Sequence, residues 1–537
     1  MALGRCQTTA MEGVLAHVVT VEANVGPGLP GVHVVGLGDA AVSESRDRIR
    51  TAVMNSHLPW AKTKVVVSMS PAALPKSGAH FDLPMALAIL SAGLDEDPRA
   101  HPDPGPYPPE DPVEYPAANG QECVSPRQRL AHTLVLGELG LDGSVRPVSG
   151  IIPSILAARS QGYRRLVIPP GNAAEAALVP DMEVLVAPTL TEAFAWACGN
   201  RALPPAQAVA REHPAPVEAT MDFCDIAGQR EAKWAAEVAA AGGHHVMMIG
   251  PPGSGKSMIA ARIPSILPEL GTDQSVEATA IHSLAGTLGP VVARAPFIAP
   301  HPSLSKAALL GGGSGNPRPG AVSLAHHGVL FLDEVSEIPA RVLDGLRAPL
   351  EEGQVRLARA RREITYPARF QLVMAANPCR CGTEDPSKCT CRVAERKNYL
   401  SNVSGPLRDR LDIVVSLSAQ AAVINAEGEE SSAQIAQRVA QARERMARRW
   451  AAEGLDVYVN GAVPATYLRR HRPAEESAMI MLGAYLAEGD LSQRGVDRVL
   501  KLAWTLADLD GSEQPGIEHV SRALDLRGAG TIERLAA

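Results

Sequence analysis

Short runs in which apolar and polar residues alternate open the chain: "GVLAHVVTVEANV", "GVHVVGL" and "KVVVSMSP". Alternation places successive side chains on opposite faces, so each run predicts a β-strand. Between and after them, "AAVSESRDRIRTAVMNS" and "DLPMALAIL" carry apolar residues at helical spacing. The pattern stops over residues 95–127, which are acidic and Pro-rich and predict a disordered insertion or surface loop. Strand-like and helical runs resume from Leu134 to about Cys198. A Pro/Ala-rich linker is predicted over 201–220.

From Met221 to Ser418 four apolar runs, "HHVMMIG", "GVLFLDE", "FQLVMAAN" and "LDIVVSL", alternate with helical stretches. That order predicts an α/β domain with a mostly parallel sheet over 221–420. Residues 421–537, with "SSAQIAQRVAQARERMARRWAAEG" and "SQRGVDRVLKLAWTLADL", predict a small helical domain. The chain is therefore read as α/β and multidomain, with a first domain over 1–200. Its 537 residues exceed what one hydrophobic core holds.

Composition narrows the function. The net charge of −7 excludes a global basic field, so any nucleic-acid contact needs a local patch. No apolar run reaches the roughly 18 residues of a membrane span. The first residues lack the basic-then-apolar pattern of a secretory signal, which predicts a cytoplasmic chain with reduced thiols.

In "HHVMMIGPPGSGKSMIAARI" a phosphate-binding loop follows an apolar strand and precedes a helix. It comprises Gly250, Pro251, Pro252, Gly253, Ser254, Gly255, Lys256 and Ser257. Its glycines let backbone N–H groups turn toward phosphate oxygens at a helix N-terminus. Lys256 is expected to neutralise the β- and γ-phosphates of ATP, and Ser257 to ligate Mg²⁺. "GVLFLDE" ends a buried strand in Asp333, expected to hold Mg²⁺ through water, and Glu334, expected to polarise the attacking water. Asn377 closes "FQLVMAAN" and can orient that water. In "SGPLRDRLDIVV", Arg408 and Arg410 precede another strand; Arg410 is the better candidate for an arginine that reaches a neighbouring subunit.

Four of the eight cysteines, Cys379, Cys381, Cys389 and Cys391, form paired C-x-C motifs in "NPCRCGTEDPSKCTCR". The residues between them hold no core-formers, so a structural Zn²⁺ is expected to order the loop. Such a clip is expected to fix the approach of Arg410, leaving nucleotide binding intact when it is lost. Just before Asn377, "EEGQVRLARARREITYPARF" predicts a β-hairpin with Arg356, Arg359, Arg361, Arg362 and Arg369, a candidate DNA contact. The Gly-rich "LLGGGSGNPRPG" within 258–332 is a second candidate.

Taken in this order, the motifs resemble the AAA+ ATPases of the magnesium-chelatase-like group, and within it the YifB/ComM family. "VGLGDAAVSESRDRIRTA", "PKSGAHFDLPMALAIL", "GAVSLAHHGVLFLDE", "AANPC" and "LSQRGVDRVLKLAWTLADL" carry the resemblance. It implies a P-loop AAA+ core with a helical lid, ATP hydrolysis in a hexameric ring, and branch migration of DNA in homologous recombination and natural transformation. By position it makes Asn377 the sensor asparagine, Arg410 the arginine finger acting in trans, and Arg494 the second sensor. Gly38 and "APFIAPHP" depart from the family's usual Pro and Arg.

The first domain is similar to the Lon proteolytic domain, but the nucleophilic Ser position falls at His80 and the Lys position at Ile152. That implies a binding or assembly role without proteolysis. A chelatase-type remodelling subunit and a nucleotide-switched scaffold are the alternative functions.

Overall fold

The computed structural model describes residues 2–35, 40–94, 125–212, 221–287, 291–313, 317–359, 362–383, 386–418 and 428–528. Gly38, most of the expected 95–127 insertion, the end of the expected linker and Arg361 lie outside the described residues. Ser125 caps a helix over Pro126–Ala131, and Ala206–Glu212 is helical within the expected linker.

The chain divides into two compact units. One comprises Met1–Val217 with Thr272–Val292; the other comprises Glu218–Gly271 with Ala293–Ala537. In the first, seven strands form one sheet: β1 (Ala2–Glu12), β2 (Leu15–Gly26), β3 (Gly31–Val35), β4 (Lys64–Ser70), β5 (Thr133–Val135), β6 (Arg165–Ile168) and β7 (Glu183–Val186). Their order is β3-β4-β2-β1-β5-β6-β7. The sheet is mixed: β1 runs antiparallel to β2 and β2 to β4, and the remaining neighbours are parallel. Alternation shows in the burial of β4, where Val65, Val67 and Met69 face the core and their neighbours do not. Helices α2 (Asp82–Ala92) and α3 (Ile151–Ser160) pack on it, and α1 (Ala40–Asn55) packs against α2. α2 is apolar all round and wholly buried, as a helix enclosed by other elements must be. Its one charge, Asp82, is held by Arg48 at 2.9 Å and by the Ser45 hydroxyl.

The second unit is built on α4 (Arg230–Gly242), α5 (Lys256–Ile266) and the strands β8 (Val246–Ile249), β9 (Phe297–Ile298), β10 (Val329–Leu332), β13 (Gln371–Ala376) and β14 (Ile413–Ser416). A separate hairpin pairs β11 (Gln354–Arg359) with β12 (Arg362–Pro367). All pairings in the five-stranded sheet are parallel, in the order β9-β10-β13-β8-β14. Every residue of β8, β10 and β13 is buried, which explains their unbroken apolar runs: a parallel sheet is covered on both faces.

Between α5 and β9 the chain changes unit, because α6 (Thr272–Leu284) belongs to the first. Ala280 of α6 packs among Ile151, Ile155 and Tyr163. Ser283 of α6 accepts the Gly150 N–H at 3.1 Å and bonds to Glu175. Burial pushes the Glu175 carboxyl up to about 7, against hydrogen bonds from Asn172 and Ser283 that favour its ionised form. Between its ordinary pKa of 4.5 and about 7, folded protein keeps a proton that unfolded chain has lost. Stability therefore falls as pH rises through that window, by roughly 3 kcal/mol at most. Glu175→Gln should raise the thermal midpoint of this unit above about pH 8 and flatten its pH dependence. An unchanged pH profile would contradict this.

The helices α7 (Val393–Tyr399), α8 (Ser432–Ala452), α9 (Gln493–Asp510) and α10 (Ile517–Arg527) also belong to the second unit. Trp450 of α8 and Trp504 of α9, both essentially unexposed, meet edge to face at 6.0 Å between ring centres. One continuous core runs from these rings to Val246, Ile259 and Ile413 of the α/β layer. No described helix is long and apolar enough to cross a membrane.

Candidate ATP site and its surroundings

The parallel register brings the C-terminal ends of β8, β10 and β13 to one edge of the sheet, with β13 in the middle. The phosphate loop leaves β8, Asp333 and Glu334 leave β10, and Asn377 leaves β13. The motifs converge because their strands are neighbours, although 121 positions separate Lys256 from Asn377.

The loop closes on α5 through Gly255, whose φ of 90° is a left-handed conformation that L side chains rarely adopt. Lys256 is buried, and burial lowers its pKa while Asp333 and Glu334 oppose that shift. Its ammonium donates to the carbonyls of Gly250 at 2.6 Å and Pro251 at 2.9 Å, and to Asn377 Oδ1 at 3.2 Å. Ser257 Oγ donates to Asp333 Oδ2 at 2.7 Å. Two oxygens suited to a hard divalent cation thus stand together beside a cradle of backbone N–H groups. Glu334 is exposed and has a left-handed backbone, φ 46°; its N–H donates to Asp333 Oδ1 at 2.8 Å.

Two further residues carried no recognisable signal in the sequence. Gln229, at the start of α4, donates to Ser254 O at 3.1 Å and Ser418 O at 2.8 Å, which ties the phosphate loop to the end of β14. Tyr399, the last residue of α7, faces Ser336 and Asn377, and burial raises the pKa of its hydroxyl.

The expected finger is placed differently from its partners. Arg410 is only 8% exposed. It donates to Pro406 O at 2.5 Å and pairs with Glu351 of the same chain. Arg408 is structural, donating to Val403 O at 2.8 Å and Leu400 O at 2.7 Å. Arg494, at the start of α9, is 75% exposed; its ion-pair partner, at 3.9 Å, is Asp409 of the finger loop. One turn on, Arg498 pairs with buried Asp412 at 2.7 Å, and His244 reaches the other Asp412 oxygen at 3.3 Å. Burial alone would raise the Asp412 carboxyl, but Arg498 and His244 overcome it and hold the group well below the usual range. The finger loop is thereby fastened to both α9 and the segment just before β8.

The hairpin forms in the register Arg356↔Thr365 to Arg359↔Arg362. Val355, Ile364 and Tyr366 are buried at its base, where Tyr366 donates to Pro317 O at 2.6 Å. Arg356 is exposed and pairs with Glu352 at 3.2 Å. Arg359 and Arg362 are paired in the backbone register at the tip end of the ladder, and Arg369 lies beyond the hairpin, against Gly353. Glu351, the partner of Arg410, stands three residues before the hairpin begins.

The four thiols do come together. Cys379 Sγ lies 3.2 Å from Cys381 Sγ and 3.6 Å from Cys389 Sγ, Cys381 and Cys389 are 3.6 Å apart, and all four sulfurs including that of Cys391 fall within 4.8 Å of one another. A tetrahedron with Zn–S bonds of about 2.3 Å has sulfurs about 3.8 Å apart, so the cluster fits a closed zinc site.

In the first unit Ile152 is fully buried in α3, His80 Nε2 lies 2.8 Å from Thr9 O, and Lys76 bonds to Pro71 O. The Ser154 hydroxyl is engaged by Thr9 Oγ1 and Gly150 O, each at 2.7 Å. None of these contacts pairs a serine with a lysine.

Comparison with known proteins agrees with this architecture. The family model "Magnesium chelatase, subunit ChlI" matches residues 222–424, its C-terminal counterpart matches 429–527, and "Subunit ChlI of Mg-chelatase" matches 21–101 and 118–172. An uncharacterised protein of Mycobacterium tuberculosis is 46% identical over 99% of each chain. The uncharacterised protein YifB of Escherichia coli is 36% identical over 100% of this chain and 98% of its own. The competence protein ComM of Haemophilus influenzae is 36% identical over 98% of each. A Lon protease of Roseiflexus castenholzii is 27% identical over 30% of this chain and 18% of its own length. With full-length relatives at this identity and family models over most of its length, the chain belongs to the YifB/ComM family of magnesium-chelatase-like AAA+ proteins.

Proposed function

We propose that the protein is an ATP-hydrolysing ring motor acting on DNA, a hexameric branch-migration helicase that serves homologous recombination and natural transformation. The observation that carries the ATPase reading is the meeting of Lys256, Ser257, Asp333 and Asn377 at one sheet edge. In this reading Ser257 and Asp333 hold Mg²⁺, which when bound spreads the negative charge of the β- and γ-phosphates. Lys256 exchanges its carbonyl partners for phosphate oxygens. Glu334 and Asn377 orient the water, and Arg494 acts as the second sensor. Arg410 of the adjoining subunit leaves Glu351 to meet the γ-phosphate. The four thiolates hold a structural Zn²⁺, which a reducing cytoplasm permits. The first unit guides substrate or supports assembly.

The DNA client rests on the ComM relative's competence role and on the hairpin arginines. ATP turnover is to be measured with and without forked or four-way DNA, with Glu334→Gln as control; stimulation by branched DNA is expected. Replacing Arg359 and Arg362 with alanine should shrink the log–log salt slope of DNA binding by roughly 0.7–0.9 for each phosphate that these arginines neutralise. The matches to chelatase subunits favour a second reading, ATP-driven remodelling of a metal-inserting partner. An active basal rate that DNA leaves unchanged would select it.

A further inference from the structure

The Cys₄ knuckle does not stand apart from the nucleotide site. It begins at Cys379, two residues after Asn377, and turns through Gly382, whose N–H donates to Cys379 O at 3.0 Å. Gly382 has φ 75°, and a Cβ placed on it would come within 2.7 Å of Pro252 Cδ and 2.9 Å of Pro252 Cγ. The backbone of the knuckle therefore rests directly on the phosphate loop. Its other end, after Cys391, runs into α7, and α7 returns Tyr399 to Asn377.

The residues between the second and third cysteine are polar and turn-forming, "GTEDPSK", and include no core-former that could order them. Closure must come from whatever holds the sulfurs. A metal that binds all four fixes the position of Gly382, and with it one wall of the phosphate loop.

We infer that metal occupancy of the Cys379–Cys381–Cys389–Cys391 centre sets nucleotide affinity, through the contact of Gly382 on Pro252. This deepens the Zn²⁺ reading above and rests on it. The effect on the site is direct, on the loop that receives the phosphates. It is not confined to the approach of Arg410, which the sequence alone had suggested.

The test uses the full-length chain with Mg²⁺ present throughout. Zinc content is measured by elemental analysis, and ADP affinity by titration calorimetry. The forms compared are wild type, wild type treated with a zinc-selective chelator and then re-zincated, Cys389→Ser/Cys391→Ser, Cys381→His and Gly382→Ala. Wild type should carry one Zn²⁺ per chain. Chelation and the double serine variant should remove it and weaken ADP binding at least tenfold, and re-zincation should restore both. Cys381→His keeps a four-ligand set and should retain metal and affinity. Gly382→Ala should retain metal yet bind ADP more weakly, because the methyl group pushes against Pro252. Metal-free wild type would refute the zinc reading itself. Zinc that is bound, then removed, with ADP affinity unchanged would leave that reading intact and overturn the coupling, as would a Gly382→Ala chain with wild-type affinity. Thermal melts of each form separate a local effect from unfolding: a variant that binds weakly only because it is unfolded gives no support, and the chelated and re-zincated wild type then decides.

Discussion

Glu334→Gln should lower ATP turnover by about 10²–10⁴ while ATP still binds. The substitution keeps the shape of the side chain but removes its negative charge and its capacity to take a proton. Glu334 is exposed at the end of a buried strand. Its left-handed backbone is an unusual conformation for a residue with a Cβ. Such a conformation costs on the order of 1–3 kcal/mol, and cost of that kind persists mainly where function needs a group aimed off the strand direction. Its amide is fixed on Asp333 Oδ1, and Asp333 Oδ2 is fixed by Ser257, so the pair is anchored to the helix that begins with Lys256. Single-turnover phosphate release, set beside equilibrium ATP binding, checks the expectation. Wild-type release from the variant would remove Glu334 from the reaction.

The second large effect concerns Arg410. Arg410→Ala should lower turnover of assembled protein by about 10³–10⁵, the range of a supplied arginine finger. Within one chain Arg410 is held by Glu351 and Pro406, so the guanidinium must change partner to act on a neighbour. Glu351 is 63% exposed but Arg410 only 9%, so the pair is half-buried and the guanidinium needs a new anionic partner as it leaves. Glu351→Gln takes away that partner's charge, so the guanidinium is freer to leave and the basal rate should rise. A mixture of Arg410→Ala and Glu334→Gln chains should regain turnover, because some interfaces then combine an intact Glu334 with an intact Arg410. Mixed chains as inactive as either parent would show that the arginine does not act across subunits.

Much of the site was legible because each motif is local. Gly255-Lys256-Ser257 and Asp333-Glu334 each sit where an apolar run stops, and a run of that kind in a parallel sheet stops at the functional edge. Asn377 was legible for the same reason. What escaped the sequence depends on contacts between distant segments. Nothing about Gln229 marks it as a brace for Ser254, 25 residues away. The loop around Arg410 reads as a projecting finger, whereas Glu351 draws it inward from 59 residues upstream. Arg494 matches a sensor by position, yet α9 sets it against Asp409. The cysteine spacing pointed to a metal but could not reveal that Gly382 lands on Pro252. The hairpin was legible from its sequence, as were β2, β3 and β4 from their alternation, whereas the hairpin's register and the first strand, β1, were not.

The passage of Thr272–Leu284 into the first unit has a consequence for dissection of the protein. The polypeptide crosses between the two bodies three times, at 217/218, 271/272 and 292/293. An amputation at residue 217 would sever one of these connections and orphan the other two. It would also strip Val276 and Ala280 of the first-unit neighbours they pack against, leaving that face of the helix uncovered on the severed fragment. A shortened ATPase made this way should clump, and its inactivity would say nothing about what the missing half does.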